Sequence, residues 1–294
     1  MHRSGFVALI GRPNVGKSTL LNALVGEKVA IMSDCPQTTR NQIRAVLTRP
    51  EYQIIFIDTP GLHKPKHMLG TNMVQTARST MEEVDMVCFL VEANQSPGPG
   101  DRYIAEILNS VKSPLFLILN KIDLVPDHRI AELSERYRQL CSFKNYFALS
   151  ALKKTNIEPL VKAVLELLPE GPQFYPSDMI TDQPEKFIAA EIIREKVIHL
   201  TRQEVPFSIA VVIEEMKPRE SGELLDIRAE IFVERKSQVG IIVGKGGSLL
   251  KEAGTRARNE MEALFGQRIF LDIRVKVKPD WRNREEELRR LGYS

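Results

Sequence analysis

The sequence predicts an α/β domain with a mostly parallel sheet and helices on both faces, followed by a smaller α+β domain. Three observations support this prediction. Residues 6–25 follow the order apolar strand, glycine-rich loop, helix; later apolar runs each end in a polar motif; and residues 169–184 are rich in proline. We therefore expect a first domain over residues 1–172, a linker over 173–184 and a second domain over 185–294.

The first motif reads Gly-Arg-Pro-Asn-Val-Gly-Lys-Ser over residues 11–18. Its glycines allow backbone N–H groups to surround a phosphate, and the N-terminus of the following helix adds partial positive charge. Lys17 would reach the outer phosphates, and Ser18 would offer its hydroxyl to Mg²⁺. A glycine-rich turn with a chance lysine is the alternative, and the strand before and helix after disfavour it. The pattern predicts a P-loop.

The second motif, Asp58-Thr-Pro-Gly61, follows the apolar run 52–57. A carboxylate at a strand end can hold the Mg²⁺ of a P-loop nucleotidase, and the N–H of Gly61 would sense the outermost phosphate. Between the two motifs, the polar stretch 35–41 contains Thr38 and Thr39, and it reads equally well as a solvated turn or as a loop that orders around that phosphate.

The third motif, Asn120-Lys-Ile-Asp123, selects the base. It follows the second of two apolar runs, 86–91 and 114–119, which read as buried parallel strands. The carboxylate of Asp123 can accept two hydrogen bonds from guanine, whereas adenine offers neither donor; a helix cap is the alternative role. A short strand over 146–149 ends at Ser150, and residues 157–168 read as a helix, so the strand ends converge on one ligand.

This ordered set of motifs resembles the translation-factor class of GTPases, and residues 36–40 and 58–61 are similar to the Era family. The resemblance implies that Thr39, with Thr38 as the less favoured choice, binds Mg²⁺ and that Asn14 helps to hold K⁺. Leu62 stands where Ras-like proteins carry a water-positioning glutamine, so a glutamine mechanism is excluded and the orientation of the attacking water stays open.

The predicted site residues follow from these motifs. The expected contacts to GTP or GDP are Gly11, Arg12, Pro13, Asn14, Val15, Gly16, Lys17, Ser18, Thr19, Asp58, Thr59, Pro60, Gly61, Leu62, Asn120, Lys121, Ile122, Asp123, Ser150, Ala151 and Leu152. The expected Mg²⁺ ligands are Ser18, Thr39 and Asp58, and the expected catalytic residues are Asn14, Lys17, Thr39 and Gly61.

The second half has the pattern helix (186–204), strands (208–214 and 225–233, joined by 217–222), helix, glycine loop, helix (248–265), strand (269–277). The loop Gly244-Lys-Gly-Gly247 is not a second P-loop, because Gly246 stands where a hydroxyl is needed. It fits the G-x-x-G loop of a type II KH domain, which lies against single-stranded RNA, although a turn between packed helices weighs equally without context. The expected RNA contacts are Ile241, Ile242, Val243, Gly244, Lys245, Gly246, Gly247, Ser248 and Lys251.

Two assignments in this half stay open. Residues 241–243 would line an apolar groove for bases or belong to the core. Trp281 would stack on a base or, as we favour, pack against a terminal helix over 283–291.

Composition excludes some classes of protein. The net charge is +3, and basic and acidic residues balance beyond residue 176, although basic residues dominate locally over 236–258 and 268–284. The three cysteines show no spacing typical of disulfides or zinc sites. No apolar run approaches the roughly twenty residues that span a bilayer, and the N-terminus lacks the apolar core of a signal peptide, so we expect a cytoplasmic protein.

Along the whole chain, the resemblance to the Era family implies a slow GTPase that binds the 3′ end of 16S rRNA and assists assembly of the 30S subunit. It also implies peripheral contact with the inner face of the membrane, and we expect a monomer. The alternative is an RNA-binding scaffold whose nucleotide is only structural.

Overall fold

The computed structural model describes residues 2–33, 35, 37–201, 205–219 and 224–293 of the 294-residue chain. The chain divides into two compact units. The first comprises Met1–Met32, Gln37–Lys66 and Gly70–Asp182, and the second comprises Ser33–Pro36, His67–Leu69 and Gln183–Ser294.

The first unit is built on a six-stranded sheet with the strand order β2-β3-β1-β4-β5-β6. All neighbouring strands are parallel except β2 and β3, which are antiparallel. The predicted mostly parallel sheet is therefore confirmed. In chain order the elements are β1 (Arg3–Gly11), α1 (Lys17–Val25), β2 (Ile43–Arg49), β3 (Tyr52–Asp58), α2 (Met68–Glu83), β4 (Met86–Glu92), α3 (Pro99–Leu108), β5 (Leu115–Asn120), α4 (Asp127–Arg138), β6 (Asn145–Ala148) and α5 (Ile157–Leu167).

Burial explains which strands the sequence predicted. Every residue of β4 and β5 is buried, so both strands read as continuous apolar runs. The edge strand β2 alternates less cleanly, with Arg44 and Arg49 among its apolar residues, and the sequence analysis did not predict it.

Residues 173–182, which make up most of the predicted linker, fall within the first unit. The side chain of Gln53, which is fully buried in β3, accepts hydrogen bonds from the backbone N–H groups of Phe174 (2.7 Å) and Tyr175 (3.0 Å). Further along, the carbonyl of Ile180 accepts the N–H of Val46 at 2.8 Å. These bonds hold the proline-rich stretch against the edge of the first sheet.

The second unit has a three-stranded sheet with the strand order β7-β8-β9, in which β7 is antiparallel and β9 parallel to β8. In chain order the elements are α6 (Glu185–Leu200), α7 (Val205–Ser208), β7 (Ala210–Pro218), β8 (Leu224–Val233), α8 (Lys236–Val243), α9 (Ser248–Phe265), β9 (Arg268–Val277) and α10 (Glu285–Arg290). The predicted α+β unit is confirmed. Of the predicted features, Pro36, the helix end near 204 and connection residues 220–222 lie outside the described residues.

Trp281 packs inside the second unit. Its indole is fully buried, its Nε1–H donates to the backbone oxygen of Ser208 at 2.9 Å, and its ring stacks on Tyr293 with the centroids 5.7 Å apart. It therefore cannot stack on a base, and the packing alternative is confirmed. Within the described ranges, no helix combines the length and the apolar character needed to cross a membrane.

Candidate nucleotide and RNA sites

The loop between β1 and α1 has a backbone that requires glycine at two positions. A Cβ atom on Gly11 would lie 2.5 Å from the carbonyl oxygen of Leu90. Gly16 adopts a φ of 97°, and a Cβ there would lie 2.3 Å from Asn120 Nδ2. Because α1 begins at Lys17, the free N–H groups of its first turn face the loop. The sequence motif thus forms a loop that is shaped to surround an anion.

Lys17 lies inside this loop. Its Nζ donates to the carbonyl oxygens of Gly11 (3.3 Å) and Arg12 (3.0 Å), and its side chain is buried. Burial lowers the pKa of Lys17 to about 8, although the nearby Asp58 carboxylate acts to raise it. A buried ammonium of this kind favours a bound anion.

Three oxygen-bearing side chains converge beside the loop. Ser18 Oγ lies 2.9 Å from Thr39 Oγ1 and donates to Asp58 Oδ2 at 2.6 Å, and Thr39 Oγ1 donates to the same carboxylate oxygen at 3.2 Å. Burial raises the pKa of Asp58, against the opposing effects of Lys17 and the two hydroxyls. The other carboxylate oxygen, Oδ1, is buried and makes no hydrogen bond. Hard oxygen ligands with one unsatisfied carboxylate atom fit Mg²⁺, and the hydroxyl of Thr39, the favoured of the two candidate threonines, lies in this cluster.

The residues after Asp58 attach to the P-loop. Thr59 Oγ1 donates to the carbonyl oxygen of Leu9 at 2.8 Å. Gly61 lies against Pro13, where a Cβ would come within 2.6 Å of the proline nitrogen. Leu62 donates its N–H to the carbonyl oxygen of Gly11 at 3.1 Å, while its side chain is buried in the core. Both the backbone N–H and the side chain of Leu62 therefore serve to hold the fold together.

Asn120 and Lys121 connect the base motif to the P-loop. Asn120 Nδ2 donates to the carbonyl oxygen of Val15 at 2.8 Å, and Asn120 Oδ1 accepts the N–H of Ala151 at 3.0 Å. Lys121 Nζ donates to the carbonyl oxygen of Asn14 at 2.7 Å. Three motifs that are distant in sequence thus meet at the carboxyl ends of β1 and β5, as open α/β sheets predict.

Asp123 presents its carboxylate at the surface. Ser150 Oγ donates to Asp123 Oδ1 at 2.5 Å, which orients the carboxylate. Ile122 lies in the same short helical turn as Asp123, and Leu152 is exposed beyond Ser150. An exposed carboxylate held by a buried serine can accept hydrogen bonds from a base.

A cluster of charged side chains that was not predicted from the sequence lies behind the P-loop. Arg12 Nε donates to Asp101 Oδ1 at 2.8 Å, and its Nη2 donates to Gln95 Oε1 at 3.1 Å and lies 3.9 Å from Glu92 Oε2. Glu92 also forms an ion pair with Lys121. The cluster joins the P-loop to β4, α3 and the base motif. Its members are too far apart in sequence for a pattern to reveal them.

The G-x-x-G loop of the second unit forms the turn between α8 and α9. Gly244, Gly246 and Gly247 have φ values of 74°, 60° and 80°, which explains the run of glycines. Lys245 is exposed between them, and Ser248 opens α9. The helix–loop–helix geometry of the prediction is present.

A groove of about 470 Å³ runs between α9 and β9. Gly247 and Lys251 are the two predicted RNA contacts that line it. Its complete lining is Gly247, Leu250, Lys251, Gly254, Thr255, Arg258, Ile269, Phe270, Leu271 and Ile273. The spacing of three or four residues among the α9 members marks one helix face and could have identified them from sequence.

Residues 241–243 do not act as one group. Ile242 is fully buried in the core of the second unit, which agrees with the core alternative for this residue. Ile241 is exposed, and Val243 is partly buried. None of the three lines the groove between α9 and β9.

Comparisons with known proteins identify the family. A family model described as a 50S ribosome-binding GTPase matches residues 6–121, and a KH-domain model matches residues 204–282. GTPase Era of Alkaliphilus metalliredigens (strain QYMF) is 52% identical over 292 residues, which cover 99% of both chains. The chain belongs to the Era family of GTPases. GTPase Era of Heliobacterium modesticaldum (strain ATCC 51547 / Ice1) is also 52% identical, over 99% of this chain and 97% of its own.

Two solved Era structures match the whole chain. Era in complex with MgGDPNP and nucleotides 1506–1542 of 16S ribosomal RNA is 44% identical, with a TM-score of 0.98 and 100% of both chains covered. A variant of Aquifex aeolicus Era bound to GDP·AlF4⁻ is 43% identical, with a TM-score of 0.96 and 99% of both chains covered. This member of the Era family is a GTP-hydrolysing enzyme with a C-terminal KH domain.

Proposed function

We propose that this Era-family GTPase binds single-stranded RNA at the 3′ end of 16S rRNA and assists maturation of the 30S subunit, and that its nucleotide state controls the affinity for RNA. The observation that carries the proposal is the presence of two built sites in one chain. One is the P-loop with its oxygen cluster, and the other is the groove beside the G-x-x-G loop.

The nucleotide site assigns a role to each motif. The P-loop, residues 11–18, would hold the phosphates, with Lys17 supplying positive charge and Gly61 donating its N–H to the outermost phosphate. Ser18, Thr39 and Asp58 would hold Mg²⁺, which would supply positive charge against the negative charge that develops on the phosphates. The exposed carboxylate of Asp123 would select guanine.

Nucleotide control of RNA affinity would depend on Thr39. Its hydroxyl contacts both Ser18 and Asp58, so a bound metal and terminal phosphate would hold its segment in place. Loss of that phosphate would release the segment. By linkage, RNA must then change the preference between GTP and GDP by the same factor as nucleotide changes RNA affinity.

The RNA site combines charge with an open apolar surface. Lys251 and Arg258 line the groove together with the half-exposed ring of Phe270, and Lys245 projects from the adjacent loop. Such a surface suits backbone phosphates at the loop and unstacked bases in the groove. Gly254 keeps the groove open, because a Cβ there would already lie 3.4 Å from Ile273 Cδ1.

The experiment measures the affinity for a single-stranded RNA matching the 3′ end of 16S rRNA, in the presence of GDP and of GDPNP. We expect affinities that differ between the two states by roughly 5- to 150-fold, the usual range of coupling between sites. Gly254→Leu should fill the groove and abolish RNA binding in both states without changing GTP affinity. Asn259→Leu, on the exposed side of α9 outside the groove, is the matched control.

Two outcomes would contradict parts of the proposal. Equal RNA affinities with GDP and GDPNP would remove the switch and leave a scaffold with a structural nucleotide, the alternative function. Equal RNA affinities of the Gly254→Leu and Asn259→Leu variants would remove the groove as the RNA site.

Other properties implied by the family resemblance stay predictions. Asn14 would help to bind K⁺, which can be tested by comparing turnover in K⁺ and Na⁺ at equal ionic strength. We also predict a monomer in the cytoplasm with peripheral contact to the inner face of the membrane, testable by sedimentation and by cell fractionation. The predicted domain limits at residues 172 and 185 can be tested by limited proteolysis.

A further inference from the structure

The proposed nucleotide site leaves one requirement of GTP hydrolysis unassigned. The attacking water needs a group that accepts one of its hydrogen bonds and so orients its oxygen toward the terminal phosphorus. Leu62, the residue after Gly61, cannot do this, because its apolar side chain is buried in the core. The water must therefore be oriented by a residue from another segment.

Gln37 and His63 form a chain of hydrogen bonds that ends beside Gly61. His63 Nδ1 lies 2.8 Å from the carbonyl oxygen of Gly61, and His63 Nε2 lies 2.8 Å from Gln37 Nε2. A carbonyl oxygen only accepts and an amide nitrogen only donates, so Nδ1 donates to Gly61 and Nε2 accepts from Gln37. The amide nitrogen of Gln37 therefore donates to His63, which fixes the direction of the amide group.

With its nitrogen bound to His63, the Gln37 amide has its oxygen left to accept a hydrogen bond. Gln37 Oε1 is buried and makes no hydrogen bond. A buried carbonyl oxygen without a partner is unfavourable, so Gln37 Oε1 would gain a hydrogen bond from any donor that reaches it. A carbonyl oxygen is also the atom type that a nucleophilic water needs as its hydrogen-bond acceptor.

The position of Gln37 in the chain fits that role. It stands two residues before Thr39, whose hydroxyl lies in the Ser18–Asp58 cluster, and its partner His63 is tied to Gly61. Gly61 in turn packs against Pro13 of the P-loop. The amide is thus connected to both segments that would surround the terminal phosphate.

We propose that Gln37 Oε1 accepts a hydrogen bond from the attacking water and that His63 positions the Gln37 amide. The inference rests on the proposed nucleotide site. In the reaction the water oxygen bonds to the γ-phosphorus, the bond from that phosphorus to the bridging β-phosphate oxygen breaks, and GDP leaves. The proton of the water passes to the released phosphate, and the amide stays neutral. The exclusion of a glutamine mechanism then applies only to the position after Gly61.

The test compares Gln37→Ala, His63→Ala and the double variant with Gln42→Ala. Gln42 is a matched control, because it is a nearby glutamine whose side chain instead donates to Thr80 Oγ1 at 3.1 Å. The rate constant of hydrolysis, written kcat below, is measured in a single turnover. It should fall on the order of 10- to 100-fold in Gln37→Ala and by less in His63→Ala. The double variant should lose no more activity than Gln37→Ala does. Gln42→Ala should match the wild type.

The affinities for two nucleotide ligands give a second measurement. A purely structural role of Gln37 would change both affinities equally, whereas a role in catalysis would not. Affinity for GDP with AlF4⁻, which mimics the transition state, should fall in Gln37→Ala by the same factor as kcat, while affinity for GDPNP changes less than about twofold. Unchanged kcat in Gln37→Ala, or an equal loss of affinity for both ligands, would overturn the proposal. Failure of the wild type to bind GDPNP would instead remove the nucleotide site itself.

Discussion

Replacing Arg12 by alanine should destabilise the first unit by about 3–5 kcal/mol, the usual cost of leaving a buried charge unpaired. The carboxylate of Asp101 is fully buried, and Arg12 Nε lies 2.8 Å from its Oδ1. Asp101 Oδ2 accepts the N–H of Gly98 at 2.9 Å, a neutral donor that cannot compensate for the charge. An exposed ion pair would be worth only about 0–1 kcal/mol. The measured loss of stability in Arg12→Ala therefore distinguishes a buried ion pair between Arg12 and Asp101 from an exposed one.

Asp101→Asn should cost less, about 1.5–3 kcal/mol for a hydrogen bond to a charged group. The asparagine oxygen can still accept from Gly98, and the side chain of Arg12 is 25% exposed, so its charge stays hydrated and close to Glu92. With asparagine at position 101, a further Arg12→Ala change should cost less than about 1 kcal/mol, because no buried charge then loses its only partner: Glu92 keeps its ion pair with Lys121.

Amide hydrogen exchange of the full chain, followed by mass spectrometry, can measure these differences segment by segment. Peptides from β1 and α3 should exchange faster in the variants, whereas peptides from β8 and β9 in the second unit serve as an internal control. An Arg12→Ala cost below about 1 kcal/mol, or an equal cost with Asp and Asn at position 101, would refute the buried-pair argument.

Three further predictions concern protonation, base selection and thiol reactivity. Because the phosphates of GTP favour the charged form of Lys17, whose pKa is lowered to about 8, binding at pH 8 should take up about half a proton per site and almost none at pH 7. Calorimetry in two buffers with different ionisation enthalpies measures the uptake, and equal heats in both buffers would contradict it. Asp123→Asn should remove most of the preference for GTP over ATP, which we expect to be about 10⁴-fold in the wild type; equal binding of both nucleotides by the wild type would contradict the assignment. Burial raises the pKa of Cys88 to about 12, so iodoacetamide at pH 8 should label Cys88 only after unfolding, and labelling in the native protein would show that β4 opens.

Local patterns predicted the elements that carry the nucleotide motifs. The P-loop, the buried strands β3, β4 and β5 and the helix–loop–helix of the second unit each have a signature within some twenty residues, because burial or a glycine backbone restricts which residues fit. The choice between Thr38 and Thr39 was different. Spacing alone could not decide it, since the answer depends on which hydroxyl the folded loop turns toward Ser18 and Asp58.

Contacts between distant segments were beyond the reach of the sequence. Arg12 and Asp101 are separated by 89 residues and Gln37 and His63 by 26, and neither pair has a characteristic spacing. The contacts of the predicted linker are a similar case, because proline-rich composition indicates a turn-rich chain but does not show that Gln53 binds its backbone. The groove between α9 and β9 could be predicted only in part. The residues of its α9 wall recur at helical spacing in the sequence, whereas its other wall forms only because β9 pairs with β8.

The burial of Trp281 has a practical consequence for spectroscopy. It is the only tryptophan of the chain, and its indole lies wholly within the second unit. Intrinsic tryptophan emission therefore reports on the RNA-binding half alone, without any label, while circular dichroism averages over both halves. A nucleotide titration that changes this emission would be optical evidence that a signal from the P-loop reaches the KH domain.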